Sequence, residues 1–210
     1  VKKMGILSDF RYRKISHTAT VNDFLKEVFR KGIHFCSAAV PAMAAFNFSW
    51  TVVALSAVVC FYILCEYRRL TGSPIPVVSR ITAYAARKRD EGHFVLGPVT
   101  MAFGVLITLI VFPLEVGRIG IFALAFGDGI ASLAGKIYGR IRIPYAGGKT
   151  LEGSSACFIA VYASTLLCTR DPLLSLEVAL LAMLIEVLPL RDYDNLLIPL
   201  LISAFVYIHP

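Results

Sequence analysis

Charge is scarce in this sequence, and so are the features of a soluble protein. Asp, Glu, Lys and Arg make up 17% of the 210 residues, against about 25% in typical soluble domains. Hydrophobic residues make up 57%, and the mean hydropathy is +0.72. Nearly continuous apolar runs of membrane-spanning length fill the chain after residue 33. These properties exclude a soluble domain of this size and predict an all-α, polytopic integral membrane protein.

Three further features that the sequence lacks, or has little of, refine the prediction of a membrane protein. The five cysteines lie in or beside apolar segments without C-x-x-C or Cys/His spacing, so we interpret them as small apolar side chains. The first thirty residues lack the apolar core of a signal peptide, so we expect the spans themselves to direct insertion. Acidic residues are scarcer than basic ones, and the net charge is +7. In so apolar a chain, this surplus indicates cytoplasmic loops and a polyanionic substrate rather than nucleic acid.

The apolar runs predict about seven membrane spans with the N-terminus in the cytoplasm. A first helix is expected to start near residue 24, capped by Asn22 or Asp23, and to continue through residue 46 with a kink at Pro41. The second span is expected to end near residue 65, and the others to cover 94–112, 115–139, 153–169, 173–189 and 193–208. Every Lys and Arg except Arg118 and Arg170 is then cytoplasmic, as the positive-inside rule predicts.

This topology divides the chain into two parts. Residues 1–23 are predicted to form a basic cytoplasmic arm, and residues 24–210 a membrane-embedded catalytic domain. If the source is bacterial, the membrane is the cytoplasmic membrane.

The charged residues of five elements gather at the predicted cytoplasmic face. Asp128 lies in an otherwise apolar span, which costs about 2.5–3.5 kcal/mol on insertion scales, so a functional role is the default interpretation. Glu27, Arg30 or Lys31, and His34 share one face of the first helix. Acids at such a face can hold Mg²⁺, and cations can neutralise phosphate oxygens. The pattern is therefore typical of phosphoryl chemistry.

A glycine-rich run in the loop after the span that carries Asp128 resembles a phosphate-binding loop. It reads Gly147-Gly148-Lys149-Thr150, but Ile143 stands where a Walker A motif needs its first glycine. No strand is predicted before it, and no G-x-G-x-x-G occurs anywhere in the chain. Soluble nucleotide-binding folds are therefore excluded.

Residues 127–154, GDGIASLAGKIYGRIRIPYAGGKTLEGS, resemble the GD-x-x-A-x-x-x-G … G … K-T-x-E-G-S signature of the CTP-dependent lipid-alcohol kinases. That family includes dolichol kinase, phytol kinase and yeast-type diacylglycerol kinase, and it is distantly similar to phosphatidate cytidylyltransferases. Two further pieces match in family order: Glu27-x-x-Arg30-Lys31-x-x-His34, and Glu186 with Asp194-Asn195-x-x-x-Pro199. The resemblance covers roughly residues 24–200.

The resemblance implies a membrane kinase that transfers the γ-phosphoryl of CTP to the hydroxyl of a lipid alcohol, with Mg²⁺, at the cytoplasmic face. The expected catalytic residues are Asp128, Lys149, Glu152 and His34, and the expected metal ligands are Asp128, Glu152, Glu186 and Asp194. The expected nucleotide-binding residues are Arg30, Lys31, Lys136, Gly139, Thr150, Gly153, Ser154 and Asn195. The sequence shows no long membrane segment before residue 24, unlike dolichol kinases, which favours a shorter isoprenoid alcohol or a diacylglycerol.

Plainer interpretations stand beside these. Asp128 could form a structural ion pair with Lys136, Glu66 could simply pair with Arg69, and Asp194 could cap a helix. Two other functions also remain open. A phosphatidate cytidylyltransferase would make CDP-diacylglycerol with the same nucleotide. A small transporter would instead spread its acids through the bilayer and show internal repeats.

Overall fold

The described part of the chain is helical almost throughout. The computed structural model describes residues 11–12, 21–87, 90 and 92–209. Its helices are α1 (Val21–Cys36), α2 (Val40–Phe46), α3 (Phe48–Leu70), α4 (Pro76–Ala85), α5 (Gly97–Val111), α6 (Leu114–Phe122), α7 (Gly129–Ile137), α8 (Leu151–Thr169), α9 (Pro172–Val187) and α10 (Asp194–Ile208). Short 3₁₀ turns cover Ser37–Ala39 and Arg191–Tyr193. The all-α class predicted from the sequence is confirmed.

Three of the described helices are long and apolar enough to cross a membrane. They are Phe48–Leu70, the continuous helix Leu114–Ile137, and Leu151–Thr169. Gly97–Val111 is a shorter apolar helix. An integral membrane protein is thus supported by length and composition, because about 20 apolar residues span a bilayer. The count of seven spans and the cytoplasmic N-terminus stay predictions.

The first helix predicted from the sequence begins earlier than expected and ends before Pro41. The N-cap prediction at Asn22 or Asp23 is wrong, because helical backbone already begins at Val21. The break before α2 places Pro41 in the first turn of that helix, where its missing N–H is tolerated. Asn47 then separates α2 from α3, and its Oδ1 accepts a hydrogen bond from Trp50 N at 3.0 Å. The expected interruption at Pro41 is therefore confirmed as a break between two helices.

The helix that carries Asp128 contains a wide turn at its centre. Ala123–Asp128 form a π-helical segment between α6 and α7, and this segment packs against α1, α8, α9 and α10. A Cβ atom added at Gly127 would lie 2.7 Å from Val161 Cγ2, so glycine allows α8 to approach closely. π-bulges occur often at functional sites. Asp128 therefore lies in a helical turn that is largely buried.

A two-stranded ribbon closes the loop between α7 and α8. Strand β1 (Arg11–Tyr12) pairs antiparallel with β2 (Ile141–Arg142) in the register Arg11 to Arg142. The rest of the predicted arm before residue 21 lies outside the described residues, so the arm stays a prediction. Apolar side chains of the long helices form the core beneath this region, with Leu124, Val161, Val178 and Ile202 fully buried.

Candidate active site

Asp128 forms a buried charged group with two residues of α1. Its Oδ2 accepts a short hydrogen bond from Lys31 Nζ, and both side chains are almost completely buried. His34 Nδ1 lies 3.2 Å from the same oxygen. Lys31 and His34 lie three residues apart, so both face α7 from one side of α1. A carboxylate, an ammonium and an imidazole are thereby held together inside the helical bundle.

A second charged group joins the loop before α8 to the ends of α9 and α10. Lys149 Nζ donates to the backbone carbonyl of Glu186 and lies 3.3 Å from Glu186 Oε1. It also lies 4.0 Å from Asp194 Oδ2. Ser154 Oγ donates to Glu186 Oε2 at 2.9 Å, so the serine orients this carboxylate. Lys149 is therefore positioned by two acids that are far apart in the sequence.

A third group lies at the outer edge of the site. Glu27 pairs with Arg30 in α1, and its Oε2 lies 2.7 Å from Lys136 Nζ at the end of α7. Burial alone would raise the pKa of Glu27, but the charges of Arg30, Lys31 and Lys136 outweigh it and hold the pKa below its ordinary value. Glu27 is therefore ionised and fixes two cations in place.

Residues from all three groups line a polar cavity of about 820 Å³. Its cations are Arg30, Arg87, Lys136, Lys149 and Arg191, and its acids are Glu27, Asp128, Glu186 and Asp194. The loop Ala146–Gly147–Gly148 forms one wall, and both glycines have positive φ angles of 65° and 94°. Glycine adopts this left-handed backbone without a steric penalty and leaves room for a ligand. A wall of cations and exposed backbone suits a polyphosphate.

A smaller cavity of about 170 Å³ lies on the other side of Asp128. Its apolar wall consists of Ile33, Ile81, Ala85, Val95, Pro98 and Met101. Most of the rest of its lining is polar or charged and includes His34, Asp128, Arg30, Arg87 and Asp194, together with Lys31, Asp90, Asp192 and Asn195. Ile81 belongs to this wall and is still 47% exposed at the protein surface, so it marks the mouth of the cavity.

Only four of the described residues line both cavities. They are Arg30, Arg87, Asp128 and Asp194. A group that bound in the polar cavity and a group that bound in the apolar cavity would therefore meet beside Asp128. This juxtaposition is the principal feature of the site.

The structure brings eight of the fourteen predicted site residues to the polar cavity, and Lys31, His34 and Asn195 line the smaller cavity instead. Glu152, Gly139 and Ser154 line neither cavity. The Glu152 carboxylate accepts hydrogen bonds from Ile141 N at 3.2 and 3.3 Å, and it holds the β2 loop. The Asn195 amide donates to Gly97 O at 3.4 Å and contacts Thr100, which ties α10 to α5. Catalytic or ligand-binding roles for these two residues stay predictions, and their contacts account for structural roles.

Three predicted nucleotide-binding residues also shape the junction of α7 and α8. Thr150 is the N-cap of α8, where its Oγ1 accepts a hydrogen bond from Gly153 N at 3.2 Å. A Cβ atom at Gly153 would lie 2.8 Å from Ala131 O, and one at Gly139 would lie 2.8 Å from Thr150 Oγ1. Both glycines therefore permit a close helix contact. Thr150 and Gly153 line the polar cavity as well.

The alternative ion pairs have clear outcomes. The pairing of Asp128 with Lys136 is wrong, because Lys31 occupies the Asp128 carboxylate while Lys136 reaches Glu27. The pairing of Glu66 with Arg69 is confirmed by two contacts of 2.7 and 2.8 Å. Glu66 Oε1 also accepts a hydrogen bond from Val95 N at 2.8 Å, so this pair anchors the loop before α5.

Arg87 is a site residue that the sequence did not reveal. It follows α4 in a run of basic residues that reads as ordinary cytoplasmic anchoring. In the structure its Nη1 lies 3.0 Å from Asp192 Oδ1, and the residue lines both cavities. These contacts involve residues that are remote in the sequence, so local sequence patterns do not indicate a site role for Arg87.

The carboxylates of the polar cavity are compatible with Mg²⁺ bound together with phosphates. Among the described residues, no three His, Cys, Asp or Glu side chains form a metal cage. Mg²⁺ usually takes one or two carboxylates and completes its shell with phosphate oxygens and water. Asp128 and Asp194, which line the same cavity, could supply such a pair.

A comparison with curated proteins identifies a relative of this chain. The chain is 32% identical over 161 residues to the dolichol kinase of Saccharomyces cerevisiae (strain ATCC 204508 / S288c), a match that covers 70% of this chain. The chain is a relative of the polyprenol kinases. The family resemblance of the sequence motifs is thereby confirmed. No protein-family model matches the chain, and no solved structure matches it.

The match covers only part of that relative. The aligned region spans 30% of the length of the yeast dolichol kinase. For this reason the sequence before residue 24 carries no argument about which alcohol the protein uses. The relative's activity is likewise a hypothesis for this chain, to be judged on the site.

Proposed function

We propose that the protein is a membrane kinase that transfers the γ-phosphoryl group of CTP to the hydroxyl of a lipid alcohol. The observation that carries this proposal is the position of Asp128 between a polar, cation-lined cavity and a smaller, largely apolar one. A phosphoryl transfer needs a polyanionic donor and an alcohol acceptor that meet at one point. The relationship to dolichol kinase supports the same reaction class.

The polar cavity is the proposed donor site. Lys149 and Arg30 would bind the triphosphate oxygens, and Lys136 would contribute charge from the outer edge. The exposed backbone of Gly147 and Gly148 would lie against the phosphates. Glu27 and Glu186 hold these cations in position before the nucleotide arrives, which lowers the entropy cost of binding. CTP rather than ATP as donor comes from the family resemblance.

The apolar cavity is the proposed acceptor site. A volume of about 170 Å³ suits the hydroxyl-bearing end of a lipid, while the rest of the lipid would leave past Ile81. The hydroxyl would then point at His34 and Asp128, in the polar part of the lining of this cavity. Apolar walls exclude water, which would otherwise compete as the acceptor and hydrolyse the nucleotide.

The chemistry requires one bond to form and one to break. The alcohol oxygen attacks the γ-phosphorus, and the bond to the β–γ bridging oxygen breaks, which leaves CDP. His34 would take the hydroxyl proton, and Asp128, 3.2 Å from Nδ1, would stabilise the imidazolium. Lys31 holds the Asp128 carboxylate in position for this role. When bound by Asp128 and Asp194, Mg²⁺ would neutralise charge on the β- and γ-phosphate oxygens.

The clustering of buried acids favours an enzyme over a transporter. Glu27, Asp128, Glu186 and Asp194 all line the polar cavity. A relay of ions across the bilayer would instead need acids at successive depths.

Purified protein in lipid bicelles, offered γ-labelled CTP or ATP and a panel of isoprenoid alcohols and diacylglycerol, tests the proposal. We expect label in a lipid phosphate, and loss of at least about 100-fold in rate with Asp128→Asn, because one well-placed electrostatic group is typically worth that much. Glu115→Gln is the matched control, since Glu115 is an exposed acid outside both cavities. Failure of every donor and acceptor combination, or full activity in Asp128→Asn, would contradict the proposal.

A further inference from the structure

We propose that Arg87 is a further catalytic residue, which binds the phosphoryl group while it passes from nucleotide to alcohol. The inference rests on the proposed function and assigns a new residue to its site. Arg87 is one of the four described residues that line both cavities, so this residue lies where the proposed donor and acceptor sites meet. A residue in only one cavity could contact the nucleotide or the lipid, but not the group in transit.

The charges at the junction show why a cation is needed there. Two of the four shared residues, Asp128 and Asp194, are acids. A transferring phosphoryl group carries its negative charge on three equatorial oxygens, and carboxylates alone would repel it. A cation at the same place would offset that repulsion and stabilise the transition state. Arg30 and Arg87 are the two shared cations.

Of these two arginines, Arg87 is the better placed to bind a new anion. Arg30 forms an ion pair with Glu27, which is buried and also pairs with Lys136. Arg87 pairs through Nη1 with Asp192, and its side chain is 33% exposed. A guanidinium carries five N–H donors in a planar fork, so Arg87 can keep Asp192 and still donate to phosphate oxygens.

The local backbone holds Arg87 at this position. Helix α4 ends at Ala85, and Ala86 is extended, so the chain turns away from the helix immediately before Arg87. Arg87 N then donates to Asp90 Oδ2 at 3.0 Å, and Asp192 holds the guanidinium from the turn before α10. Contacts at both ends of the residue fix the direction of the side chain, as a preorganised catalytic group requires.

The end of α4 also contributes to the proposed acceptor site. Ala85 and Arg87 both line the acceptor cavity, so the end of α4 is part of the acceptor wall. Arg87 therefore borders both the proposed donor site and the proposed acceptor site.

The test compares Arg87→Gln and Arg87→Lys with wild type in the γ-labelled CTP assay, with Arg80→Gln as control. Arg80 is an exposed arginine of α4 that lines neither cavity, so it shares the anchoring role but not the site. We expect Arg87→Gln to lower kcat about 100–1,000-fold with KM for CTP changed less than about 5-fold, the pattern of a contact made only in the transition state. Arg87→Lys should recover little, because lysine lacks the fork. Guanidinium ion added to Arg87→Gln should restore part of kcat.

Each outcome separates this inference from the proposed function. Active wild type together with Arg87→Gln that keeps kcat within about 3-fold would overturn the catalytic role of Arg87 and leave the kinase intact. A loss of kcat that follows a lowered Tm and is not restored by guanidinium ion would also overturn it, since it marks a structural residue. Wild type that transfers no γ-phosphoryl group would overturn both.

Discussion

The ion pair between Lys31 and Asp128 should stabilise the fold as well as prepare the site. Lys31→Met removes the cation and leaves Asp128 buried among helices, with His34 as its remaining neighbour. Breaking a buried pair from one side typically costs about 3–5 kcal/mol, because the remaining charge is uncompensated. For a chain of this length, that loss lowers Tm by roughly 6–20 °C. Asp128→Asn should destabilise by a similar mechanism, since it isolates Lys31.

The double variant makes the prediction specific. In Lys31→Met with Asp128→Asn neither charge remains, so we expect much of the lost stability to return while activity stays absent. Thermal unfolding of the four proteins in detergent gives the interaction energy as a double-mutant cycle. Lys26→Met, on the same helix but outside both cavities, should change the free energy of unfolding by less than about 0.5 kcal/mol.

Additive effects would refute this reasoning. If the two single variants each stay within about 0.5 kcal/mol of wild type, the charges are not paired in a buried environment. If the double variant is as unstable as the sum of the singles, the two residues do not interact.

Three more predictions concern the donor site and its frame. Lys149→Met should raise KM for CTP about 10–100-fold, because a hydrogen bond to a charged group contributes about 1.5–3 kcal/mol, and steady-state kinetics will show it. Gly153→Ala should lower the free energy of unfolding by about 1–3 kcal/mol, since its Cβ would lie 2.8 Å from a backbone carbonyl oxygen. Gly32→Ala, which meets nothing within 4 Å, is the matched control in the same unfolding assay. The ionised Glu27 has a pKa below the ordinary value of 4.5, so its stabilisation is present above that pH and is lost as pH falls through the lowered pKa. The Tm difference between wild type and Glu27→Gln should therefore shrink on acidification, and a constant difference down to pH 3 would contradict the assigned charge state.

The sequence indicated most of the charged residues that line the polar cavity. An aspartate inside an apolar helix is costly enough to indicate function on its own, and the structure places Asp128 at the meeting point of two cavities. Lys149 likewise lies where the motif implied, in a loop beside Glu186 and Asp194. Helix class and the break at Pro41 followed from hydropathy and proline chemistry.

The pairing of these groups could not be read from the sequence. Lys136 lies on the same continuous helix as Asp128 and was the obvious partner, yet Lys31 takes that place from 97 residues away. The reason is that α1 and α7 run antiparallel, so Glu27 meets Lys136 while Lys31 meets Asp128. The choice of ion-pair partner depends on which helices are neighbours in the fold. The spacing of residues along the sequence carries no information about helix neighbours.

The glycines and Glu152 illustrate a second limit. A sequence motif indicates which residues a family needs. It does not indicate whether those residues bind a ligand or permit close packing of helices. Gly153 allows α7 and α8 to approach, and Glu152 accepts hydrogen bonds from the β2 backbone. Arg87 shows the reverse case, because a basic residue in a basic loop gives no local signal of a site.

The most direct test of the central claim follows the label from CTP into the lipid. Parallel reactions of the purified protein would contain γ-labelled CTP or α-labelled CTP, each with a lipid alcohol and, separately, with phosphatidate. The account predicts that γ label enters the alcohol as a monoester and that α label stays in the released CDP. Entry of α label into lipid, with phosphatidate as the acceptor, would contradict it and identify a cytidylyltransferase instead.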